Sequence, residues 1–530
     1  MITTVNPDNK KFERNKSNMI YVDKTLIIDK LNNMINTDYN KICVSRPRRF
    51  GKTMTANLIS AYYSLGCDSR ALFEGTKLSK TKDWDKYLNK FNVIKIDVQG
   101  IYGVAKDNNT DLSKQIKKTI NQDLIKQFPD IHELDVNESL AQNIISVYNA
   151  TDRQFVMIMD EYDVLVRDKL NNEVMDNYLD LLNTLFKDDR ITDAFALVYL
   201  TGIFPIVKDT FQSKLNNFKE YSIIDPDILG GFIGFTEDEV KELCEQHNMD
   251  FTECKNWYDG YYLKGTGSIY NPKSVVTAME KHEFNDYWVQ TGSFESVSDY
   301  ITQNIDGLHD DIISMVKDKC KIDVNINKFR NRIDDLKHKD SILTYLIHLG
   351  YLAYDSQEHT CYIPNYEIHE EWILAIDEVT DLSPFAELYS ASKCLYMAIK
   401  NRNGENAARK LDFIHHKIAN TNTFGNEAAL HTSLETALIY TKSFYTIHNE
   451  EATGNGYADI VLIPRSQYSS NPAIVIELKV DKSAAIALKQ IKDRHYGSDL
   501  DLYKKNMLLV GINYNRKTSK HDCIVEKYQK

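Results

Sequence analysis

The sequence contains no C-x-x-C pair and no group of Cys and His residues at the spacing of zinc ligands. Its eight cysteines are scattered along the chain, which favours reduced, mostly buried thiols over a disulfide framework. A signal-peptide core is missing near the N-terminus, and the longest apolar stretches have about half the length of a bilayer span. We therefore expect a soluble, cytoplasmic protein without a membrane partner.

An excess of positive charge is also missing, because the net charge is −12. This balance excludes a protein coated in positive charge, but it leaves room for a local basic groove, since a ligand responds to the nearby field. The sequence has no internal repeat and no low-complexity linker. A chain of 530 residues is too long for one compact core, so we expect about two to four domains.

Short apolar runs alternate with polar helical stretches over the first part of the chain. The runs are KICVS (41–45), NVIKIDV (92–98), FVMIM (155–159) and FALVYL (195–200). This alternation predicts a parallel sheet with crossover helices in residues 1–230.

The pattern changes after residue 230. Thr236 and Glu239 have capping-box spacing, and the region to about residue 340 is predicted to be mostly helical. A helix, a strand, a polar turn and a second strand follow, as in a winged-helix module, so that 231–384 forms a middle region. Residues 385–530 begin with helix and continue with strands at 457–463, 473–480 and 506–514.

The first motif with chemical content is R-P-R-R-F-G-K-T at 46–53, between a predicted strand and a predicted helix. It matches the phosphate-binding pattern G-x-x-x-x-G-K-[ST], except that an arginine takes the place of the first glycine. We expect the loop amides to hold phosphate, Lys52 to reach the β/γ-phosphates, and the Thr53 hydroxyl to ligate Mg²⁺. The predicted cofactor-binding residues of this loop are Arg46, Pro47, Arg48, Arg49, Phe50, Gly51, Lys52 and Thr53.

A second motif supports a nucleotide site over a plain helix start. Asp160 and Glu161 directly follow the apolar run 155–159, as in a Walker B motif. Asp160 would hold Mg²⁺, and Glu161 would orient the attacking water. Thr201 closes the next strand and is placed like a sensor of the γ-phosphate, although a threonine in this position is often only structural.

A third constellation lies near the C-terminus. Asp459 is near the start of one predicted strand, and Glu477 and Lys479 share one face of the next. This is the D…E-x-K layout of metal-dependent nucleases, in which the two acids would bind Mg²⁺, with Mn²⁺ as a substitute, and the lysine would stabilise charge on the phosphate. The alternative is an edge strand with a solvated charged face.

Further residues favour the nuclease interpretation. Gln490 follows on the next predicted helix, and Glu427 lies on a preceding helix, where a further metal-binding carboxylate is often found. Residues 477–530 also carry more Lys and Arg than Asp and Glu, which permits contact with a phosphate backbone.

The sequence resembles, over nearly its whole length, bacterial AAA-ATPase-like proteins fused to a C-terminal PD-(D/E)xK nuclease. The motifs YVDKT (21–25), RPRRFGKT (46–53), DEYD (160–163), LTGI (200–203), WYDGY (257–261), ADIVL (458–462) and IELK (476–479) stand in the family's order. The family's loop also commonly has arginine where this chain has Arg46. The resemblance implies an α/β P-loop ATPase domain, a helical lid and a restriction-endonuclease-like C-terminal domain. Tyr457 departs from the arginine that the family often carries.

These observations favour an ATP-binding protein with a Mg²⁺-dependent nuclease domain that acts on DNA under ATP control. The alternatives are a regulatory ATPase whose C-terminal domain binds nucleic acid or a partner without cleavage, and a secreted effector. A single P-loop favours ATP as a switch over ATP as the fuel of a motor. DNA versus RNA, endo- versus exonuclease action and the oligomeric state stay open.

Overall fold

The computed structural model describes residues 3–167, 172–206, 215, 217–288, 302–330, 336–378, 383–418, 433–452, 457–465, 471–493 and 503–528. The chain divides into two compact units. The first comprises residues 1–289, 304–315 and 320–368, and the second comprises 290–303, 316–319 and 369–530. The sequence-based boundaries near 230 and 384 stay a prediction.

The first unit contains a five-stranded, entirely parallel sheet. Its strands are β1 (Lys41–Ser45), β2 (Asn92–Asp97), β3 (Phe155–Asp160), β4 (Phe195–Gly202) and β5 (Lys219–Tyr221), in the order β2-β3-β4-β1-β5. The first four were predicted from their apolar runs, and the short fifth strand was not. The parallel sheet confirms the predicted α/β class for this region.

The central strands are apolar because both of their faces are covered. Side chains alternate along β3, so that Phe155, Met157 and Met159 join one core cluster while Asp160 emerges on the opposite face, toward the helix that follows β1. The helices around the sheet are α1 (Lys10–Lys16), α2 (Ile27–Asn32), α3 (Lys52–Tyr63), α4 (Arg70–Phe73), α5 (Val98–Asp107), α6 (Leu112–Gln127), α7 (Leu140–Thr151), α8 (Val164–Arg167), α9 (Asn172–Lys187) and α10 (Asp189–Thr192).

The middle region combines helices with two small sheets that the sequence only partly predicted. The first sheet has the order β6-β8-β7, with β6 (Phe235–Thr236), β7 (Tyr261–Leu263) and β8 (Gly267–Tyr270), beside α11 (Glu237–His247), α12 (Phe251–Tyr258) and α13 (Pro272–Lys281). The predicted capping box of Thr236 and Glu239 is present at the start of α11.

The winged-helix-like pattern is also present. The helix α14 (Leu308–Asp318) precedes β9 (Ile322–Asp323), and α15 (Lys339–Leu349) leads into the hairpin of β10 (Ala353–Asp355) and β11 (Thr360–Tyr362). The three strands pair in the order β10-β11-β9, and α16 (Tyr366–Glu378) follows.

The second unit contains a mixed five-stranded sheet in which only β14 and β15 are parallel neighbours. Its elements are α17 (Ser383–Lys400), α18 (Gly404–Ile418), β12 (Tyr445–Ala452), β13 (Tyr457–Pro464), β14 (Ala473–Val480), α19 (Ala484–Asp493), β15 (Met507–Asn515) and β16 (Lys520–Lys527). The edge strands β12 and β16 were not predicted, because their polar residues hide the apolar alternation.

Two further expectations concern composition. Five of the cysteines are buried and Cys394 is exposed, which agrees with mostly buried thiols. Across the described ranges, we find no helix with both the length and the apolar character needed to span a membrane.

The close approach of β15 to α19 gives a stability prediction. A Cβ atom at Gly511 would lie 2.4 Å from the Ala484 carbonyl oxygen and 2.7 Å from the Leu488 nitrogen. We expect Gly511→Ala to lower the free energy of unfolding by about 1–3 kcal/mol, because backbone atoms cannot yield without moving the helix. Urea unfolding followed by circular dichroism measures this change.

Gly103→Ala in α5 is the matched control, since no heavy atom lies within 4 Å of its added Cβ. Alanine should there be neutral or raise stability by about 0.5–1 kcal/mol. Equal effects of the two substitutions would contradict the packing described for β15 and α19.

Candidate functional sites

The loop between β1 and α3 places a glycine where the backbone requires one. Gly51 is the residue before α3 and has φ of +90°, a left-handed conformation that favours glycine. Gly51, at the N-cap position, has no side chain with which to cap the first amides of this 12-residue helix. The N-terminus of α3 therefore presents its first amides and the positive end of the helix dipole, which together suit an anion.

Arg46 replaces the expected first glycine with a buried anchor. Its side chain is fully buried, and Nη1 donates to the carbonyl oxygens of Ser45 (2.8 Å) and Tyr221 (3.0 Å). Burial lowers the pKa of the guanidinium to about 10. The side chain thus ties the start of the loop to β5, so that Arg46 could meet a phosphate only through its backbone.

The next side chains of the loop contact the middle region of the same unit. Arg49 donates from Nη1 to the carbonyl oxygen of Tyr287 (3.1 Å). Pro47 packs so closely on Gly350 that a Cβ added there would lie 2.8 Å from the proline Cβ. The backbone atoms of Arg49 and Pro47 could therefore fill the predicted role in cofactor binding, while the side chains of these residues hold the loop in place.

Phe50 completes this attachment. Its buried ring meets the ring of Tyr261 edge to face, with 5.5 Å between the ring centroids. The hydroxyl of Tyr261 donates to the carbonyl oxygen of Gly350 at 2.5 Å. The loop is consequently packed against both β7 and the end of α15.

A buried carboxyl supports the segment that receives Arg49. The amide of Tyr287 donates to Oε1 of Glu367 (2.9 Å), and the Ser274 hydroxyl donates to Oε2 (2.9 Å). Glu367 is buried at the start of α16, and burial raises its pKa to about 8. This residue links α13, the segment around Tyr287 and α16, and no motif of the sequence pointed to it.

Lys52 lies directly at the loop. Its side chain is 5% exposed, and Nζ donates to the carbonyl oxygens of Arg46 (3.1 Å) and Pro47 (2.9 Å). The ammonium group is thus held over the loop by backbone oxygens, next to the first turn of α3.

Asp160 lies at the carboxyl end of β3, where its register partner on β4 is Thr201. Burial raises the pKa of the Asp160 carboxyl, and a hydrogen bond with Thr53 opposes this shift. Within the ranges that the structure describes, Oδ1 of Asp160 is buried without a hydrogen-bond partner. The structure therefore brings Thr53 of the loop and Asp160 together, with an oxygen left over that suits a hard cation.

The two residues beside Asp160 differ in their geometry. Glu161 has φ of +54°, a left-handed conformation in which it turns the chain away from β3. The Thr201 hydroxyl is buried and donates to the carbonyl oxygen of Val44 (3.0 Å). This bond favours the structural alternative for Thr201 over a role as a γ-phosphate sensor.

Asp163 is a site residue that the sequence reasoning missed. Its Oδ2 accepts hydrogen bonds from the amides of Ile203 and Phe204, both at 2.9 Å. A Cβ at Gly202 would lie 2.4 Å from Oδ1, which explains the glycine at that position. Asp163 thus bonds the acidic turn after β3 to the residues that follow β4. Its only mark in the sequence is its place as the second Asp of the D-E-Y-D motif.

Lys95 on β2 was missed as well. Its Nζ donates to Oδ1 of Asn57 on α3. Burial lowers the pKa of Lys95 to about 8, Lys11 adds to this shift, and Asp160 and Asp97 oppose it. The lysine thus belongs to a polar layer between the sheet and α3.

A cavity of about 370 Å³ opens beside the first turns of α3. Its walls come from the segment around residues 12–24, from α3, and from the middle region of the same unit. Most of the lining side chains are apolar, including Met19, Ile20, Val22, Phe235 and Val276. Such a volume and lining suit a small ligand with an apolar ring.

The second site lies on the sheet of the second unit. Asp459 precedes Ile460, which pairs with Ile476 of β14, so Asp459 and Glu477 lie opposite each other on antiparallel strands. Oδ2 of Asp459 accepts from the amide of Leu478 (2.6 Å). The two predicted acids therefore meet at one place on the sheet.

Glu477 carries the remaining contacts of this site. Lys479 donates from Nζ to Oε1 of Glu477 at 2.8 Å, and Gln490 of α19 donates from Nε2 to the same oxygen. Glu477 is 1% exposed, so the alternative of a solvated charged face does not hold for it. Asp459, Glu477, Lys479 and Gln490 are brought together as the spacing indicated.

Two carboxylates are the candidate metal ligands of this site. Glu427, predicted as a further ligand, lies outside the described residues. In the described part of the chain, no three His, Cys, Asp or Glu side chains are grouped as a metal site. Asp459 and Glu477 still supply the oxygen ligands that Mg²⁺ prefers.

Comparison with known proteins matches two parts of the chain to families. Residues 10–212 match the family described as predicted AAA-ATPase, and residues 425–523 match the PD-(D/E)XK nuclease superfamily. The chain contains an AAA-ATPase-like domain followed by a C-terminal domain of the PD-(D/E)XK nuclease superfamily. The resemblance stated from the motifs is confirmed.

Individual relatives are more distant. An uncharacterized protein in the vnfD 5' region of Azotobacter chroococcum mcd 1 is 27% identical over 266 residues, which cover 49% of this chain and 49% of that protein. The match thus spans about half the length of the curated relative.

Two solved structures share only a remote likeness. The ORC2 protein of Aeropyrum pernix, solved as ADPNP-ADP complexes, is 12% identical with a TM-score of 0.33, covering 71% of this chain and 98% of that one. The Aeropyrum pernix ORC1 protein in complex with DNA is 10% identical with a TM-score of 0.24, covering 87% and 95%.

The buried Glu367 makes stability depend on pH. Its pKa is raised from 4.5 to about 8, so between these values the folded chain binds more protons than the unfolded chain. The contribution of Glu367 to stability is therefore complete below pH 4.5 and is lost as the pH rises through about 8. We expect Glu367→Gln to remove this loss, so that the variant gains stability relative to wild type at pH 8 but not at pH 4.5.

Urea unfolding at both pH values measures the difference. Glu283→Gln, at an exposed glutamate after α13, is the control and should leave the pH dependence unchanged. A parallel pH dependence of wild type and Glu367→Gln would contradict the raised pKa.

Proposed function

We propose that this protein is an ATP-controlled nuclease: it binds and hydrolyses ATP at the loop 46–53, and its C-terminal domain hydrolyses phosphodiester bonds in DNA. The observation that carries the nuclease part is the buried Glu477, which faces Asp459 and is bonded by Lys479 and Gln490. A carboxylate is costly to bury without a function or a close partner, and here it lies beside a second acid.

The groups that surround the loop support the proposed ATP site. The first amides of α3 and the Lys52 ammonium are suited to the phosphates, and Thr53 with Asp160 would hold Mg²⁺. The cation would neutralise phosphate charge, and Glu161 would orient the attacking water. The cavity beside α3 has the size and the apolar walls for the base.

In the nuclease site each residue has a separate task. Asp459 and Glu477 would hold the divalent cation, which supplies Lewis-acid activation of the attacking water when it is bound. Lys479 places a positive charge next to Glu477, where it would stabilise the negative charge that develops on the phosphate. Gln490 fixes the orientation of the Glu477 carboxylate and acts as a positioning residue.

ATP binding is tested with Lys52→Ala. We expect the affinity for ATP to fall about tenfold or more, because a charge-assisted contact to phosphate is lost. Isothermal titration calorimetry with ATP and Mg²⁺ measures it, and Lys118→Ala, at an exposed lysine of α6, is the control. An unchanged affinity for ATP in the Lys52→Ala variant would show that the nucleotide does not bind at this loop.

Cleavage is tested with Glu477→Gln, which keeps the shape and the hydrogen-bonding oxygen of the side chain. We expect the rate on plasmid and linear DNA to fall about a hundredfold or more, since a charged ligand of the cation is lost. Glu526→Gln, at a half-exposed acid paired with Lys492, should cleave like wild type. Both variants should keep the secondary structure of the wild-type protein, measured by circular dichroism.

The same assay separates the alternatives. If the wild-type protein binds DNA without cleaving it, the alternative of a regulatory ATPase with a nucleic-acid-binding domain replaces the nuclease. If it cleaves RNA alone, the proposed substrate is RNA and not DNA. Rates are compared with ATP, with a non-hydrolysable analogue and without nucleotide. Equal rates in all three conditions would remove ATP control from the proposal.

A further inference from the structure

The turn 481–483, which leads from β14 into α19, is fixed by β15 although it is open to solvent. Asp481 and Lys482 are exposed, and Asp481 has φ of +52°, a left-handed conformation. The Asp481 amide donates to the carbonyl oxygen of Tyr514 at 2.9 Å. The Lys482 amide donates to Oδ1 of Asn513, also at 2.9 Å. The strand β15 therefore determines where the exposed Lys482 stands.

Asn513 connects this turn with the nuclease site. It is the register partner of Lys479 on the neighbouring parallel strand, so the two side chains lie on the same side of the sheet. Asn513 is 4% exposed, so its bond with the Lys482 amide is shielded from water. Because neighbouring strands are about 4.8 Å apart, the backbone of Lys482 is fixed close to the lysine that would meet the scissile phosphate.

The outer side of α19 continues from this turn. Ile486 and Lys489 are three residues apart on the helix, and Lys482 lies four residues before Ile486, so the three side chains follow one line. Both lysines are exposed, and Ile486 is 49% exposed. The residue after Lys489 is Gln490, which contacts Glu477. This line of three side chains, which we call the α19 stripe, thus runs beside the nuclease site.

The two lysines of the stripe differ from the next lysine of the same helix. Lys492 pairs with Glu526 at 2.6 Å. The side chains of Lys482 and Lys489, by contrast, form no ion pair and no hydrogen bond with the residues that the structure describes. A rise of 1.5 Å per residue separates these two lysines by about 10 Å along the helix axis, which is about three phosphate steps of one DNA strand.

We propose that the α19 stripe binds the sugar–phosphate backbone of the substrate, with Lys482 and Lys489 contacting phosphates next to the one that is cleaved. The inference rests on the proposed nuclease function and adds the surface that holds the DNA. A regular row of negative charges matches two lysines at this spacing, and Ile486 between them meets the apolar carbons of the sugar. Asn513 is a positioning residue, because it acts by fixing the backbone of Lys482.

The test measures how the affinity for DNA depends on salt. Binding of a short DNA duplex is followed by fluorescence anisotropy, with ATP present and with EDTA to prevent cleavage. We expect Lys482→Ala and Lys489→Ala each to reduce the slope of log affinity against log salt concentration by about 1, because each lysine neutralises one phosphate. Lys492→Ala, on the same helix but paired with Glu526, is the matched control and should keep the wild-type slope.

Two further variants separate the roles within this surface. Ile486→Ala should weaken DNA binding about fivefold at every salt concentration with an unchanged slope, because an apolar contact is lost. Asn513→Ala should raise KM for DNA about fivefold, since Lys482 loses its fixed position, while kcat for cleavage stays within about twofold of wild type. A fall in kcat with unchanged KM would contradict the assignment of Asn513 as a positioning residue.

The inference is overturned if both lysine variants keep the wild-type slope. Since both lysines are exposed, these variants should fold as the wild type does, and circular dichroism verifies this. Cleavage that still depends on Glu477 would then leave the proposed nuclease standing, with its DNA on another surface. Absence of both DNA binding and cleavage in the wild-type protein would remove the proposed nuclease itself.

Discussion

The backbone shape of the loop 46–51 depends on the contacts that its side chains make with the rest of the first unit. Arg46 is buried under the loop and bonded to β5, while Arg49 and Phe50 are attached to the middle region of the same unit. Because these side chains are used by the protein, the loop backbone and the start of α3 are what remains for a ligand. The arginine in place of a glycine is therefore an anchor that keeps the phosphate-binding backbone in one shape, and this shape includes left-handed conformations at both Arg49 and Gly51.

Two domains that match different families thus present the same kind of chemistry, carboxylate oxygens and a lysine close to each other. In the first unit Asp160 and Lys52 lie beside the loop. In the second unit Nζ of Lys479 donates to Oε1 of Glu477. Both acids are buried, which raises the cost of their charge unless a cation or a donor compensates it. At Glu477 the Lys479 ammonium supplies part of this compensation, whereas at Asp160 one carboxylate oxygen has no partner within the described ranges.

Local patterns of the sequence were enough to predict the parts of both sites that lie on strongly apolar strands. The runs before Ser45 and Asp160, and the alternation around Glu477, gave the strands and the side-chain faces correctly. Short or polar strands such as β5, β12 and β16 carry no such pattern and were missed. Asn57 and Lys95 are 38 residues apart along the chain, and only the packing of α3 and β2 brings them together. Glu367 and Asp163 belong to the same class, since their partners are distant in sequence.

The contacts of Lys52 with two backbone oxygens have a consequence for the thermodynamics of ligand capture. A phosphate that reaches this ammonium does not meet a solvated charge but exchanges places with carbonyl groups already bonded to it. The measured affinity is then a difference between two sets of hydrogen bonds, and it stays modest even when the final contacts are good. Such an exchange keeps the site shaped before the ligand arrives, and it allows the product to leave because the original bonds can form again.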